Sequence, residues 1–517
     1  TEQWFISMDE KGLRERALQE IKNVQWIPHW GRERISLMIE NRPDWCISRQ
    51  RLWGVPITVL YCEGCNAAIA DAKFFAKVVD AFRADGADAW YERDAKEFLE
   101  PGQTCAKCGG AEFRKEFDIL DVWFDSGCSH LAVLKRRPEL TWPAAVYLEG
   151  HDQHRGWFHS SLLVGTGIES GAPYERVITC GFVVNEAGDK MSKSRGTGLS
   201  PQDVIAQSGA DILRMWVAMV DYTDDIAFGP QILGRVGEAY RKIRNTARFL
   251  LANLSDFNPD ADSVPFDEME ELDRWALARA QESFDRCRRA YEEFEFHVVY
   301  HRMIDLCTVD LSATYLDILK DRLYIEAPSS HSRRSAQTAM HEILRGLVAM
   351  LAPLIPYTAD EIYELMPGKK EASVHLTEFP ATTASLSAET RAAWDRIFAL
   401  RETVSKVLET ARGAGRIGQS LEADILLTGE FDLAKLTGGL KIDPSKIFIV
   451  SHVDLGPTSA ESAIEPIAFE GIGKIGVAMK PARGTKCDRC WHYREEVRQA
   501  GDLCDRCAGI VEQLQIA

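Results

Sequence analysis

Between Gln231 and about Tyr363 apolar residues recur at helical spacing almost without a break. Leu233, Val236, Tyr240, Ile243, Ala247, Leu250 and Leu254 alternate in steps of three and four, which lines them along one face of one helix. The same period marks helices over Leu272 to Phe294 and Ser335 to Leu351, the second stopped near Pro353. This pattern predicts a helical bundle. Upstream, over 118–185, short β-rich runs such as Val146-Tyr147-Leu148 and Val177-Ile178-Thr179 alternate with helical stretches such as Trp157 to Gly167. That alternation predicts a parallel α/β sheet. Residues 1–56 hold a helix (Leu13 to Val24) among short apolar runs, and 57–117 read as an inserted module bracketed by two cysteine pairs. After a helix over Thr390 to Ala411 the period changes to strands at Ala423 to Thr428, Lys446 to Val450 and Ile475 to Met479.

At 517 residues the chain is too long for one core, so three to five domains are expected. No apolar run reaches membrane-spanning length, and Thr1-Glu2-Gln3-Trp4-Phe5 is not a signal peptide, so a cytoplasmic location without membrane contact is expected. A net charge of −17 argues against a nonspecific polyanion binder but leaves room for a shaped nucleic acid held by local basic stripes. The chain opens mid-pattern and without Met, which suggests a fragment. Eight of the thirteen cysteines fall in C-x-x-C pairs, a metal pattern in a cytosolic chain.

The densest chemistry is Lys190-Met191-Ser192-Lys193-Ser194, with Gly188, Gly196 and Gly198 around it. Two ammonium groups and two hydroxyls in five residues can grip a polyphosphate and stabilise charge as phosphorus changes partners. Ser200, Pro201 and Asp203 then open a helix as N-cap, first residue and third residue. Cys487-x2-Cys490-x13-Cys504-x2-Cys507 supplies two knuckles for tetrahedral Zn²⁺, and Cys62-x2-Cys65-x39-Cys105-x2-Cys108 repeats the logic with a longer loop. Four ligands leave no open position, so both sites would be structural. Trp491, beside the first C-terminal knuckle, either stacks on unpaired bases or packs the knuckle.

Tyr147 to Trp157 follows an apolar strand and precedes a helix, where α/β sheets bind ligands. Glu149, Asp152 and Gln153 there could take an ammonium, ribose hydroxyls or an amide, and Gly150 and Gly156 allow close backbone approach. His151 and His154, three apart at a strand end, fit a metal site poorly. Trp123, in Asp121 to Gly127, and Trp157 either line an apolar pocket or belong to the core. Arg241, Arg244 and Arg248 form a basic stripe away from the apolar seam, a solvated face or a phosphate track.

Asn41 to Arg51, Asp121 to Gly127, Tyr147 to Trp157, Lys190 to Ser194, Arg241 to Leu251 and the C-terminal cysteines together match one family. Over essentially its whole length the sequence resembles the bacterial isoleucyl-tRNA synthetases, which are class I aminoacyl-tRNA synthetases. The resemblance implies a multidomain α/β plus all-α fold: the second half of a Rossmann-like catalytic domain, a helical anticodon-binding bundle, a small α/β junction and a zinc module. It divides the chain into 1–56 (exit from the editing insertion and start of the catalytic portion), 57–117 (zinc insertion), 118–230 (catalytic portion with the lysine–serine loop), 231–380 (bundle), 381–478 (junction) and 479–517 (zinc module).

The resemblance also implies ATP-dependent activation of isoleucine and transfer to tRNA(Ile), with Mg²⁺ accompanying ATP, zinc as structural metal, and a monomeric full-length enzyme. By position, Lys193 would contact ATP and with Lys190 stabilise departing pyrophosphate. Glu149 would bind the aminoacyl-adenylate beside Gly150, Asp152 and Gln153; Trp123 and Trp157 would wall the isoleucine side chain; Arg241, Arg244, Arg248 and Trp491 would meet tRNA. No His-x-Gly-His occurs among the twelve histidines. The chain therefore reads as a C-terminal portion lacking most of the editing domain and, alone, unable to activate isoleucine or edit. Valyl or leucyl relatives and a noncatalytic tRNA-binding fragment are the alternatives.

Overall fold

The computed structural model describes residues 2–189, 200–456 and 465–516. They form two compact units, one from 1–184 with 222–227 and one from 185–221 with 228–517.

The first unit is built on a three-stranded parallel sheet in the order Gln25–Ile27, Arg176–Cys180, Tyr147–Gly150. Val177 lies opposite both Trp26 and Tyr147, which puts Cys180 level with Gly150 at the carboxyl ends. Val177 and Ile178 are buried, as a central strand covered on both faces requires. Helix Trp157–Glu169 is buried continuously from Phe158 to Thr166, and with Ile21, Ile35, Ile39 and Tyr174 it makes the core. The sequence expectation of a parallel α/β layer holds here. Residues 57–117 carry an antiparallel sheet (Ala68–Ile69, Leu60–Cys62, Phe113–Lys115) and helix Ala72–Asp85, whose first N–H groups bond to Asp71. Phe74, Val78, Trp90, Phe98 and Phe113 give this segment a core of its own.

In the second unit the apolar period becomes helices Pro230–Ala252, Glu271–Glu292, Phe296–Asp305, Leu316–Ile325, His331–Leu351 and Pro356–Glu364. Leu306–Tyr315 winds as a π-helix, and the Thr246 hydroxyl donates to the Cys307 carbonyl within that wider turn. Ser200 caps helix Pro201–Ser208 by accepting from the Asp203 N–H, as its sequence foretells. This helix and Ala210–Met219, which sequence grouping places with 118–230, fall in the same unit as the bundle. Buried Asp211 accepts from the N–H and hydroxyl of Thr358 at 2.8 and 2.6 Å, and Arg214 donates to the Pro353 and Leu354 carbonyls.

Beyond helix Ala388–Gly413 a four-stranded sheet runs His452–Leu455, Ala423–Thr428, Gly473–Pro481, Ile467–Phe469. One expected strand is wrong. Lys446 to Val450 is not extended: Pro444–Phe448 is a short helix, capped by Asp443, which accepts from Ser445, and opened by Pro444 at its first position. Ile447, Phe448 and Val450 are apolar because they are buried, and pairing resumes only at His452. No helix among the described residues is long and apolar enough to cross a membrane.

Candidate functional site

Glu149 and Gly150 sit at the carboxyl end of an edge strand, level with Thr179 and Cys180. The chain then makes one 3-10 turn, His151–His154, before the buried helix starts at Trp157. Gln153 spends its carbonyl oxygen on that helix, accepting from the Trp157 N–H at 2.9 Å. Gly156 must be glycine, because a Cβ would lie 2.3 Å from Gln153 Oε1 and 2.9 Å from the Trp123 ring. The same closeness brings Trp123 to the turn. Its ring is 43% exposed on helix Val122–Gly127.

Trp157 is fixed rather than open. It stacks on Tyr147 at 3.9 Å, and its indole N–H donates to Ser126 O and Ser129 Oγ. Glu149 and Asp152 face solvent at the rim. Trp123, Gln153, Gly156 and Trp157 thus converge, with the two carboxylates beside them. His154 is a core histidine, ringed by Trp26, Trp30 and Phe158, and burial pulls its pKa down to about 4.

Sequence reading passed over the support behind Trp123. Asp121 caps its helix, takes Arg49 Nη2 at 3.0 Å and accepts from Trp45 Nε1 at 3.2 Å. An acid two residues before a tryptophan at a helix start was the available signal. Burial, and then the Asp121 carboxylate, pushes nearby Asp125 up to about 6.

Lys190 and Lys193 lie outside the described residues. The turn leading to them is described: Asn185 Oδ1 accepts from the Ala187 and Asp189 N–H groups at 3.0 and 2.8 Å.

The eight paired cysteines assemble as two separate fours, each with all sulfurs within 4.8 Å of one another. Cys62 and Cys108 Sγ are 3.5 Å apart, as are Cys65 and Cys105, and Cys490 and Cys504 are 3.8 Å apart. Zn–S bonds of about 2.3 Å at tetrahedral angles set sulfurs about 3.8 Å from one another. Both clusters fit structural zinc. Three of the four pairs form the same knuckle: the residue four after the first cysteine donates its N–H to that cysteine's carbonyl in a left-handed conformation. These residues are Asn66, Gly109 and Trp491, with φ of 56°, 74° and 66°. Burial pushes the Cys487 thiol up, but the N–H groups of Cys490, Cys504 and Arg489 outweigh it and bring it to about 6. Those donors favour the thiolate, the form that binds metal.

The left-handed knuckle also decides how Trp491 is displayed. It turns the side chain outward, 53% exposed with the Lys486 ammonium over its ring, while the adjacent His492 is buried. The C-terminal module docks on helix Leu316–Ile325 through Arg506, which grips Asp321 with two bonds of 2.7 Å. Its interior is little more than the cysteines with Val497, Leu503 and Ile325. Replacing Cys504 by Ser is therefore expected to unfold 484–509 and release one zinc while the bundle stays helical. Zinc quantification with limited proteolysis measures both; a protease-resistant module without metal would contradict the expectation.

On the bundle, Arg241, Arg244 and Arg248 share the exposed side of helix Pro230–Ala252. Two of them have internal partners: Arg241 pairs with Glu238, and Arg244 with Glu361 at 2.8 Å, which raises the Arg244 pKa. Beside them a 440 Å³ cavity is lined by Lys242, Asn245, Phe249 and Lys320. A 620 Å³ cavity runs from Asp317 and Lys320 to Lys446, Arg489 and Trp491. Asp317 and Lys320 line both, so the two cavities adjoin along helix Leu316–Ile325, and the second reaches the zinc knuckle. Lys320, Lys446 and Arg489 were not legible as a group, being far apart in sequence.

Comparison with known proteins follows this anatomy. Residues 1–229 match the family of tRNA synthetases class I (I, L, M and V), 273–427 the anticodon-binding domain of tRNA ligase, and 484–509 the zinc finger found in FPG and IleRS. The chain is 52% identical over 518 residues to the isoleucine–tRNA ligase of Geobacter sulfurreducens, covering 99% of this chain and 56% of that protein. The corresponding ligases of Syntrophotalea carbinolica and Moorella thermoacetica are each 48% identical, over 99% of this chain and 55% and 56% of their own lengths. The chain spans little more than half the length of these relatives. Its catalytic segment, anticodon-binding bundle and zinc finger place it in the isoleucine–tRNA ligase family of class I aminoacyl-tRNA synthetases.

Proposed function

We propose that this chain is the tRNA-gripping and phosphate-handling part of an isoleucine–tRNA ligase. In that reaction a carboxylate oxygen of isoleucine attacks the α-phosphate of ATP, which carries Mg²⁺ as part of the substrate, and pyrophosphate leaves. A hydroxyl of the terminal tRNA ribose then takes the acyl group from the adenylate. In this reading Lys190 and Lys193 neutralise the departing pyrophosphate. Glu149 and Asp152 hold polar groups of the adenylate, Gly150 lets it approach the strand end, and Trp123 forms the wall of the side-chain pocket. Trp157 and Gln153 act behind them, by holding the turn. The catalytic chemistry would proceed in the cytoplasm, with the translation machinery.

The adjoining cavities between the bundle and the outward-turned Trp491 carry the tRNA half of the proposal. Their rim carries four cations (Lys242, Lys320, Lys446, Arg489) against Asp317, which pairs with Lys320, and Asp321, which Arg506 holds; this local excess, in a chain of net charge −17, suits a shaped anion rather than any polyanion. Exposed Arg248 extends that rim along the helix, and Trp491 offers a face for an unpaired base.

Filter binding is expected to show preference for isoleucine acceptors over other tRNAs. Arg248→Ala and Lys320→Ala should each weaken binding about 3- to 10-fold and lower the salt slope by about one. Equal binding of all tRNAs, unaffected by either change, would refute the assignment. Having no His-x-Gly-His among its histidines, the chain alone is expected to give no isoleucine-dependent pyrophosphate exchange. Exchange above background would overturn that part.

A further inference from the structure

The two cysteine clusters differ in one respect that no family match describes. All four sulfur-bearing residues of the C-terminal cluster are buried, whereas in the first cluster Cys108 is exposed and Cys65 half-buried. The rim of the first cluster is made of residues that carry no side chain. A Cβ on Gly110 would lie 3.2 Å from Cys62 Sγ and 3.4 Å from Cys108 Sγ, and one on Gly64 would lie 3.6 Å from Cys108 Sγ. Both glycines therefore border the sulfurs, and neither shields them. The C-terminal cluster is closed instead by Arg489, whose guanidinium approaches Cys507 Sγ at 3.9 Å, and by Ile325, Val497 and Leu503.

We propose that exposed Cys108, with Cys62 buried beside it, is an oxidation site: hydrogen peroxide converts the two to a disulfide and so discharges the metal of the first cluster, leaving the C-terminal cluster loaded. The two sulfurs already stand 3.5 Å apart. Their thiolates supply the two electrons; the S–S bond forms as the peroxide O–O bond breaks, and both oxygens leave as hydroxide. Cys65 and Cys105 alone then retain too few ligands to hold zinc. The 57–117 segment outlasts the loss because Phe74, Val78, Trp90, Phe98 and Phe113 extend its core well beyond Cys62 and Cys105. The C-terminal module has no such reserve.

The full chain, loaded with two equivalents of zinc, is treated with hydrogen peroxide in the presence of a chromophoric zinc chelator. One equivalent is expected to appear at least about 10-fold faster than the other. Peptide mass mapping at that stage should find Cys62 linked to Cys108 and the four C-terminal cysteines reduced. Gly64→Ala tests the cause: its methyl would rest on Cys108 Sγ at ordinary contact distance and should slow the first phase several-fold without changing the metal content. Simultaneous release, first release from the C-terminal cluster, binding of only one zinc, or an unchanged rate in Gly64→Ala would each overturn the proposal.

Discussion

Replacing Asp273 by Ala is expected to cost the helical bundle on the order of 3–5 kcal/mol, a large share of the roughly 5–15 kcal/mol of an ordinary folded unit. Asp273 is wholly buried and holds the Arg322 guanidinium through two bonds, at 3.0 and 2.6 Å. Tyr315 donates to the same carboxylate at 2.8 Å, and so does the Ser335 hydroxyl. Arg322 reaches in addition the Ser332 carbonyl. Burial alone would lower the Arg322 pKa; Asp273 outweighs it and raises it. Removing the carboxylate leaves a guanidinium without counterion in the interior, and that uncompensated charge, rather than the lost bonds, is the main cost. Arg322→Met in the Asp273→Ala background should then recover most of the loss, since it removes the charge left without a counterion. Urea titrations of the single and double variants give the coupling directly. A single-variant loss below about 1 kcal/mol would mean that water reaches Arg322 and that the network is ornamental.

That network ties together helices Glu271–Glu292, Leu316–Ile325 and His331–Leu351 with the last residue of the π-helix. The helices themselves were legible, because a period of three and four over 130 residues has few other readings. The ion pair was not: nothing in one sequence says which aspartate faces which arginine across a bundle. The same limit explains 201–219, whose capping residues announced a helix but whose burial partners, Thr358 and the Pro353 and Leu354 carbonyls, lie some 140 residues downstream. Lys446 to Val450 failed for a different reason. A short apolar run has the same appearance in a buried helix as in a strand, and only Asp443-Pro444 ahead of it distinguished the two.

At the candidate sites, residue types were legible and their duties only partly so. C-x-x-C spacing foretold both cysteine fours, because two thiolates on one knuckle leave little else to do. The spacing did not foretell that the knuckle would put Trp491 in a left-handed conformation and so face it outward. Gln153 and Trp157 also carry structural contacts that the sequence does not announce: Gln153 accepts from the first N–H of the buried helix, and Trp157 stacks on Tyr147. Both are local hydrogen-bond and stacking choices that depend on where the next helix begins.

Acid is expected to undo the first unit through His159. This residue is 2% exposed, and among the described residues its ring meets polar backbone only at His154, too weakly to offset its burial. Burial, reinforced by the positive charges of Arg42 and Arg155, pulls its pKa from 6.5 to about 3. A proton therefore binds the unfolded chain below pH 6.5 while the folded chain refuses it until about pH 3. The stability gained by keeping the ring neutral is complete above pH 6.5 and is lost progressively as pH falls toward 3. At about 1.4 kcal/mol per unit, His159 alone would withdraw on the order of 3 kcal/mol by pH 4. His154 and His130, each pulled down to about 4 by burial, act in the same direction. His159→Leu removes the ionisable group, and with it the cost of protonating a buried ring beside Arg42 and Arg155. The variant should match the parent within about 1 kcal/mol at pH 7.5 and exceed it by roughly 3 kcal/mol at pH 4, in urea unfolding followed by tryptophan fluorescence. A stability difference that is the same at both pH values would show that some other group governs the acid transition.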